Sequence, residues 1–246
     1  MNKISPNWLV PERVKGFTTT RQGGVSQAPF ESFNLGMHVG DSESAVKTNR
    51  TLLVERFNLP QSPVFLHQVH STKVVRLPQE AHILEADAAY TNQPNQVCVV
   101  MTADCLPVLF TNQQGNEVAA AHAGWRGLCD GILEQTVAQF QCPSSEIMAW
   151  FGPAISKRAF QVGQEVKAQF IQHDSQAKQA FTPDLSAVKN EKYFADLYLL
   201  ARQRLNALGI KQIYGGEHCT FNERELFFSY RREGKTGRMA SLIWFE

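Results

Sequence analysis

The stretch at residues 97–128, VCVVMTADCLPVLFTNQQGNEVAAAHAGWRGL, constrains this chain most. Two apolar runs of strand length, 97–102 and 107–111, flank Ala103-Asp104-Cys105, and a third, 117–122, follows a polar Asn-Gln-Gln-Gly-Asn turn. If the second and third runs pair as a hairpin, the start of one lies beside the end of the other. Cys105 and His122 then meet at one sheet edge. Singly, Cys105 reads as a small core residue and His122 as a hydrogen-bonded structural group. Together with Asp104 and Arg126 they crowd reactive groups onto the ends of apolar runs, which costs stability unless they serve a site.

Upstream, residues 14–20 form a β-branched run of strand type, followed by Arg21-Gln22-Gly23-Gly24. The double glycine suits a turn, or an anion-cradling loop with Arg21 as its charged partner. Residues 30–41 read as a loop carrying Asn34 and His38. Asp41 or Ser42 then caps a helix to about Phe57, with Val46, Leu53 and Phe57 on one face. Arg50 on this helix is expected as a solvated surface charge. Two strand-like runs, 64–66 and 73–77, are joined by His67-Gln68-Val69-His70-Ser71, where continued alternation puts Gln68 and His70 on one face.

Downstream, the pattern predicts helices at 128–140, 164–172 and 194–208, strands at 147–151, 212–214 and 241–245, and an exposed connection over 172–190. Such alternation gives an α/β or α+β class. The 246 residues fit one large domain, 1–246, and 43% hydrophobic residues supply its core. A net charge of +1 argues against nucleic-acid or membrane-surface partners. Pro6 and Pro11 interrupt the segment where a signal peptide needs a continuous apolar region. Five cysteines, an odd number without regular disulfide spacing, suggest reduced thiols and a cytoplasmic setting.

His70, Cys105 and His122 are too widely spaced for a zinc finger, so a metal site made from them is assembled by the fold. Two nitrogens and a sulfur suit zinc and leave its fourth tetrahedral position for water or substrate, which implies catalysis. Zinc would keep Cys105 as thiolate and lower the pKa of bound water toward about 7. Asp104 would stand beside the ligands as proton acceptor or orienter, or would bond backbone amides of its own turn. A Cys105 nucleophile with His122 as its base, a thiol hydrolase, is the alternative.

The ordered segments TTRQGGVS, NLGMHVGD, QVH, ADA, TADCLPV, AAHAGWRGL, GPAI, CT and SYRREGKTGR run from about residue 17 to 238. They resemble the family long described as multicopper polyphenol oxidase or laccase-domain proteins, and now as purine nucleoside phosphorylases with adenosine deaminase activity. The resemblance implies a single-domain, four-layer α/β/β/α fold with mixed β-sheets, and zinc ligands at His70, Cys105 and His122. It also implies phosphorolysis of adenosine, inosine, guanosine and S-methyl-5'-thioadenosine, and deamination of adenosine, so purine nucleosides and phosphate are the expected partners.

Phosphate held under a ribose that gains positive charge calls for arginines. Arg21, Arg126, Arg231, Arg232 and Arg238 are the candidates, each in a glycine- or aromatic-punctuated motif, with Asn34 and His38 as further polar candidates. Some bacterial relatives are implicated in peptidoglycan editing, removing a misincorporated serine from a cell-wall precursor, and metal-assisted amide hydrolysis suits the same site. Copper and phenol oxidation form the older alternative, but one cysteine and two histidines make at most one blue-copper-like site. A non-catalytic zinc- or nucleotide-binding role is the non-enzymatic alternative, and the open coordination position argues against it.

Overall fold

The computed structural model describes residues 3–79, 84–187 and 191–246. Its strands are β1 (Lys3–Ile4), β2 (Val14–Thr19), β3 (Val74–Arg76), β4 (Ala88–Thr91), β5 (Cys98–Thr102), β6 (Leu106–Asn112), β7 (Val118–Ala123), β8 (Ile147–Phe151), β9 (Gln161–Val162), β10 (Phe181–Pro183), β11 (Tyr193–Ala195), β12 (Gln212–Gly215) and β13 (Met239–Phe245). The helices are α1 (Glu43–Phe57), α2 (Trp125–Asp130), α3 (Ile132–Val137), α4 (Gln164–His173), α5 (Leu197–Ala207) and α6 (Tyr230–Glu233).

Two sheets carry the core, a six-stranded mixed sheet ordered β12-β8-β6-β7-β4-β3 and a four-stranded antiparallel sheet ordered β1-β2-β13-β5. Strand alternation sets the layering. In β6 and β7, Leu106, Val108, Phe110, Ala119 and Ala121 pack with the helices, while Leu109, Val118 and Ala120 pack between the sheets. In β5 and β13, Cys98, Val100, Ile243 and Phe245 complete that middle layer, and Val99, Leu242 and Trp244 turn to the opposite face with Leu53 of α1. Both faces of these strands are covered, so they read as unbroken apolar runs. The order is therefore α2–α5, sheet, sheet, α1, the four-layer α/β/β/α architecture that the resemblance implied.

Several elements depart from the sequence reading for identifiable reasons. The helix expected at 128–140 begins at Trp125 and breaks at Gly131, whose φ of +103° places it in the left-handed region. The stretch expected as an exposed connection over 172–190 holds β10, with Phe181 against Phe170 at 5.9 Å and Ala177 and Ala180 buried; residues 188–190 lie outside the described set. The run 64–66 forms no strand, and alternation does not persist to His70, which sits in a turn at φ +63°. The Gly23-Gly24 segment is a turn closed by its own chain: both amides donate to Ser32 Oγ, at 3.0 and 3.1 Å.

Arg50 is not a solvated charge. Its Nε and Nη2 donate to the Leu35 carbonyl at 3.0 and 2.8 Å, and its guanidinium lies 3.7 Å from the centre of the Phe65 ring. Burial lowers its pKa to about 10. Arg50 thereby ties α1 to the loop that carries Asn34 and His38. Arg50→Ala leaves a carbonyl without its donors and should cost about 2 kcal/mol of stability, read by urea denaturation; a loss under about 0.5 kcal/mol would contradict this role.

Candidate metal centre

The β6–β7 hairpin pairs Leu106 with Ala123 and Pro107 with His122, so Cys105, just before β6, reaches the same sheet edge as His122. β4 pairs with the other side of β7, Ala88 opposite Ala121, which brings Asp87 to His122. The His122 backbone N–H donates to the Asp87 carbonyl at 2.7 Å, and its Nδ1 lies 2.8 Å from Asp87 Oδ1. The same carboxylate accepts from the backbone amides of Val69, His70 and Ser71 and from the Ser71 hydroxyl, and so sets the turn that presents His70.

His70 Nε2 then lies 3.7 Å from Cys105 Sγ, and the His70 and His122 rings meet edge to face with centroids 4.8 Å apart. One donor atom from each of His70, Cys105 and His122 falls within 4.8 Å of the others. With Nδ1 of His122 engaged by Asp87, its Nε2 remains for a metal, the arrangement that orients ligating histidines. Two nitrogens and one sulfur from separate elements can hold one divalent ion and leave a coordination position open. Gly124 makes room for it, since a Cβ there would stand 2.5 Å from His70 Cδ2 and 3.2 Å from Cys105 Sγ.

The electrostatics agree with the donor set. Burial alone would push the Cys105 thiol up, but His122 and His70 beside it outweigh burial and hold it down. Burial would likewise lower His122, yet the Cys105 sulfur and the Asp87 carboxylate raise it. Burial of Asp87 is in turn outweighed by hydrogen bonds from His122 and Ser71, which hold it well below the usual carboxylate range. A thiol held down beside two imidazoles suits a metal ligand, and a bound cation would favour the thiolate further. A second trio, Cys129, Asp130 and His173, also falls within 4.8 Å, but burial raises the Cys129 thiol to about 11.

The first trio lines a cavity of about 350 Å³ that also includes His38, Gln68, Met101, Tyr230 and Arg238. Gln68 pairs with the Met101 backbone in both directions, at 2.8 and 2.7 Å, and so fixes the cavity wall to the end of β5. Burial, and then Arg238, lowers the pKa of His38 from its ordinary value.

Residues 15–246 match the family model described as "Multi-copper polyphenol oxidoreductase laccase". The chain belongs to this laccase-like family. A Haemophilus influenzae protein named "Purine nucleoside phosphorylase" is 67% identical over 246 residues, covering all of both chains. "Purine nucleoside phosphorylase YfiH" of Escherichia coli is 53% identical over 242 residues, 98% of each. Among solved structures, protein NMB0706 of Neisseria meningitidis superposes with a TM-score of 0.93 at 48% identity over all of both chains, and YlmD of Geobacillus stearothermophilus with 0.85 at 30% identity over 96% and 93%.

Within this laccase-like fold the other expected site residues divide by location. His38 and Arg238 reach the metal cavity. Asn34 lies behind it, its Oδ1 accepting from the Gly36 and Arg238 amides, and so holds the Arg238 backbone. Arg21 lines a different cavity, with Nη1 2.7 Å from Glu233. Arg126 is exposed over the Trp125 ring, and Arg231 donates from Nη1 to the Gln161 carbonyl. Arg232 spends its guanidinium on the carbonyls of Thr220, Phe221 and Phe227 and on Glu233.

Asp104 stands at φ +91° with both oxygens engaged, Oδ1 by the Thr220 hydroxyl at 2.6 Å and Oδ2 by the Arg231 amide at 2.7 Å. Asp104 therefore bonds a distant hydroxyl and the amide of Arg231, not the amides of its own turn as the sequence suggests. Asp87 is the residue that pattern reasoning passes over; its signal in the sequence is the ADA motif, an acid inside an apolar run.

Gly124→Ala should displace the His70 ring and weaken zinc binding about 100-fold in a competitive chelator titration, with unchanged far-ultraviolet circular dichroism. Unaltered affinity would show that His70 is not a ligand.

Proposed function

We propose that this protein is a zinc-dependent purine nucleoside phosphorylase acting on adenosine, inosine, guanosine and S-methyl-5'-thioadenosine, and that it also deaminates adenosine. The observation that carries the reading is one cavity that joins the His70–Cys105–His122 trio to Arg238 and His38. The relatives named as purine nucleoside phosphorylases support the same reading. Bound among the three donors, zinc supplies a Lewis acid and acidifies water at its open position.

The chain's own residues supply the rest. Asp87 holds the Nδ1 proton of His122 and fixes which nitrogen faces the metal. Of the five candidate arginines, Arg238 is the one in the cavity, and it is the residue assigned to phosphate. Its Nη1 is anchored on the Thr236 and Gly237 carbonyls, so the fork is held in place before the anion arrives. His38 can donate or accept one hydrogen bond to a ribose hydroxyl or to phosphate. Asp104 fastens α6 to the β6 end and so keeps that wall of the cavity at a set distance from Cys105.

The oxidase reading has less support. Among the described residues the metal-competent groups are this trio and Cys129-Asp130-His173, whereas multicopper chemistry needs further clusters of histidines.

Zinc-loaded protein should release hypoxanthine from inosine only when phosphate is present, and should convert adenosine to inosine, both followed by chromatography. Arg238→Ala should raise the KM for phosphate about tenfold or more. No turnover of any purine nucleoside would overturn the proposal, and cleavage of the serine-containing cell-wall precursor alone would replace it with amide hydrolysis.

A further inference from the structure

The space at the metal trio continues past Arg238. A second cavity of about 320 Å³ shares His38, Tyr230 and Arg238 with the first and is lined further by Val39, Gly234, Lys235 and Thr236. Tyr230 therefore stands at the junction of the two. Its side chain is 60% exposed, among the most exposed large apolar groups of the described residues. Among those residues, too, its hydroxyl has no hydrogen-bond partner, and Arg238, which lines both cavities with it, is its charged neighbour.

The backbone beneath that ring is held firmly. Ser229, fully buried, caps α6 by accepting from the Arg232 amide; the next amide, that of Arg231, donates to Asp104; and the Arg232 guanidinium is tied to three carbonyls. A largely exposed ring thus sits on a short, immobilised helix, one residue from an amide bonded to the neighbour of Cys105. An aromatic side chain held this way loses little further entropy when a flat ligand covers it.

We propose that Tyr230 is the platform on which the purine base of the substrate stacks, an assignment that rests on the phosphorylase reading and names its base subsite. Stacking uses the π-face that every base offers and ignores exocyclic groups. One ring can therefore serve adenosine, inosine and guanosine alike, with no dedicated hydrogen-bonding set for each. The larger face of a purine also favours it over a pyrimidine.

The test is steady-state kinetics of zinc-loaded wild type, Tyr230→Ala, Tyr230→Leu and Tyr230→Phe with inosine, adenosine and guanosine at saturating phosphate. Tyr230→Ala and Tyr230→Leu should raise the KM of all three nucleosides about tenfold or more, with kcat within about threefold and the KM for phosphate unchanged. Tyr230→Phe should restore the nucleoside KM to within about twofold, which a role through the hydroxyl would not do, while the impaired Leu variant excludes a role through apolar bulk alone. Zinc content and Tm should match wild type, because the ring supports nothing beneath it. Wild-type KM values in Tyr230→Ala, or a Phe variant as impaired as the Ala variant, would overturn the stacking assignment and leave the phosphorylase reading standing. A wild type inactive on all three nucleosides would overturn both.

Discussion

A carboxylate with no solvent exposure, Asp87, accepts hydrogen bonds from the amides of Val69, His70 and Ser71, the Ser71 hydroxyl and the His122 ring. A charge buried without such partners would cost several kcal/mol, so the turn and the imidazole must both come to it. That one requirement fixes His70 and His122, two of the three candidate metal donors, relative to each other. The third follows from strand register, because the β6–β7 pairing leaves Cys105 no other edge to occupy. The site is thus set by backbone pairing and one buried acid.

The same economy governs the substrate side. Asp104, in a left-handed backbone conformation beside Cys105, spends its carboxylate on Thr220 and on the first turn of α6. Asn34 spends its amide on the chain around Gly36 and on the backbone of Arg238. Asp104, read from the sequence as a proton acceptor or orienter, and Asn34, read as a polar site candidate, thus hold the backbone next to Tyr230 and that of Arg238. Arg21, Arg126, Arg231 and Arg232 serve carbonyls, a carboxylate or an aromatic ring elsewhere, and Arg238, itself anchored on the Thr236 and Gly237 carbonyls, is the one of the five that lines the cavity of the trio.

Much of the architecture was legible in the sequence because its strands are buried on both faces and leave long apolar runs. The central hairpin, and the meeting of Cys105 with His122, follow from those runs and the polar turn between them. His70 was placed with its partners by motif, not by periodicity, since the chain around it is a turn held by side-chain bonds to an acid 17 residues away. Arg50 was misread for a related reason: a helix pattern shows that a residue points off the apolar stripe, not that a carbonyl and a phenyl ring wait there. The break at Gly131 and the strand at Phe181 depend on local backbone geometry and on tertiary pairing, which single-residue patterns register weakly.

The central claim is a single ion held by two imidazoles and one thiolate with a position left for water or substrate. X-ray absorption at the zinc edge of the loaded protein tests it directly. The account predicts one sulfur at about 2.3 Å and lighter donors at about 2.0–2.1 Å, two of them imidazole, with one light donor exchanged when phosphate or inosine is added. A spectrum with no sulfur, with two sulfurs, or with four donors unmoved by either ligand would contradict it.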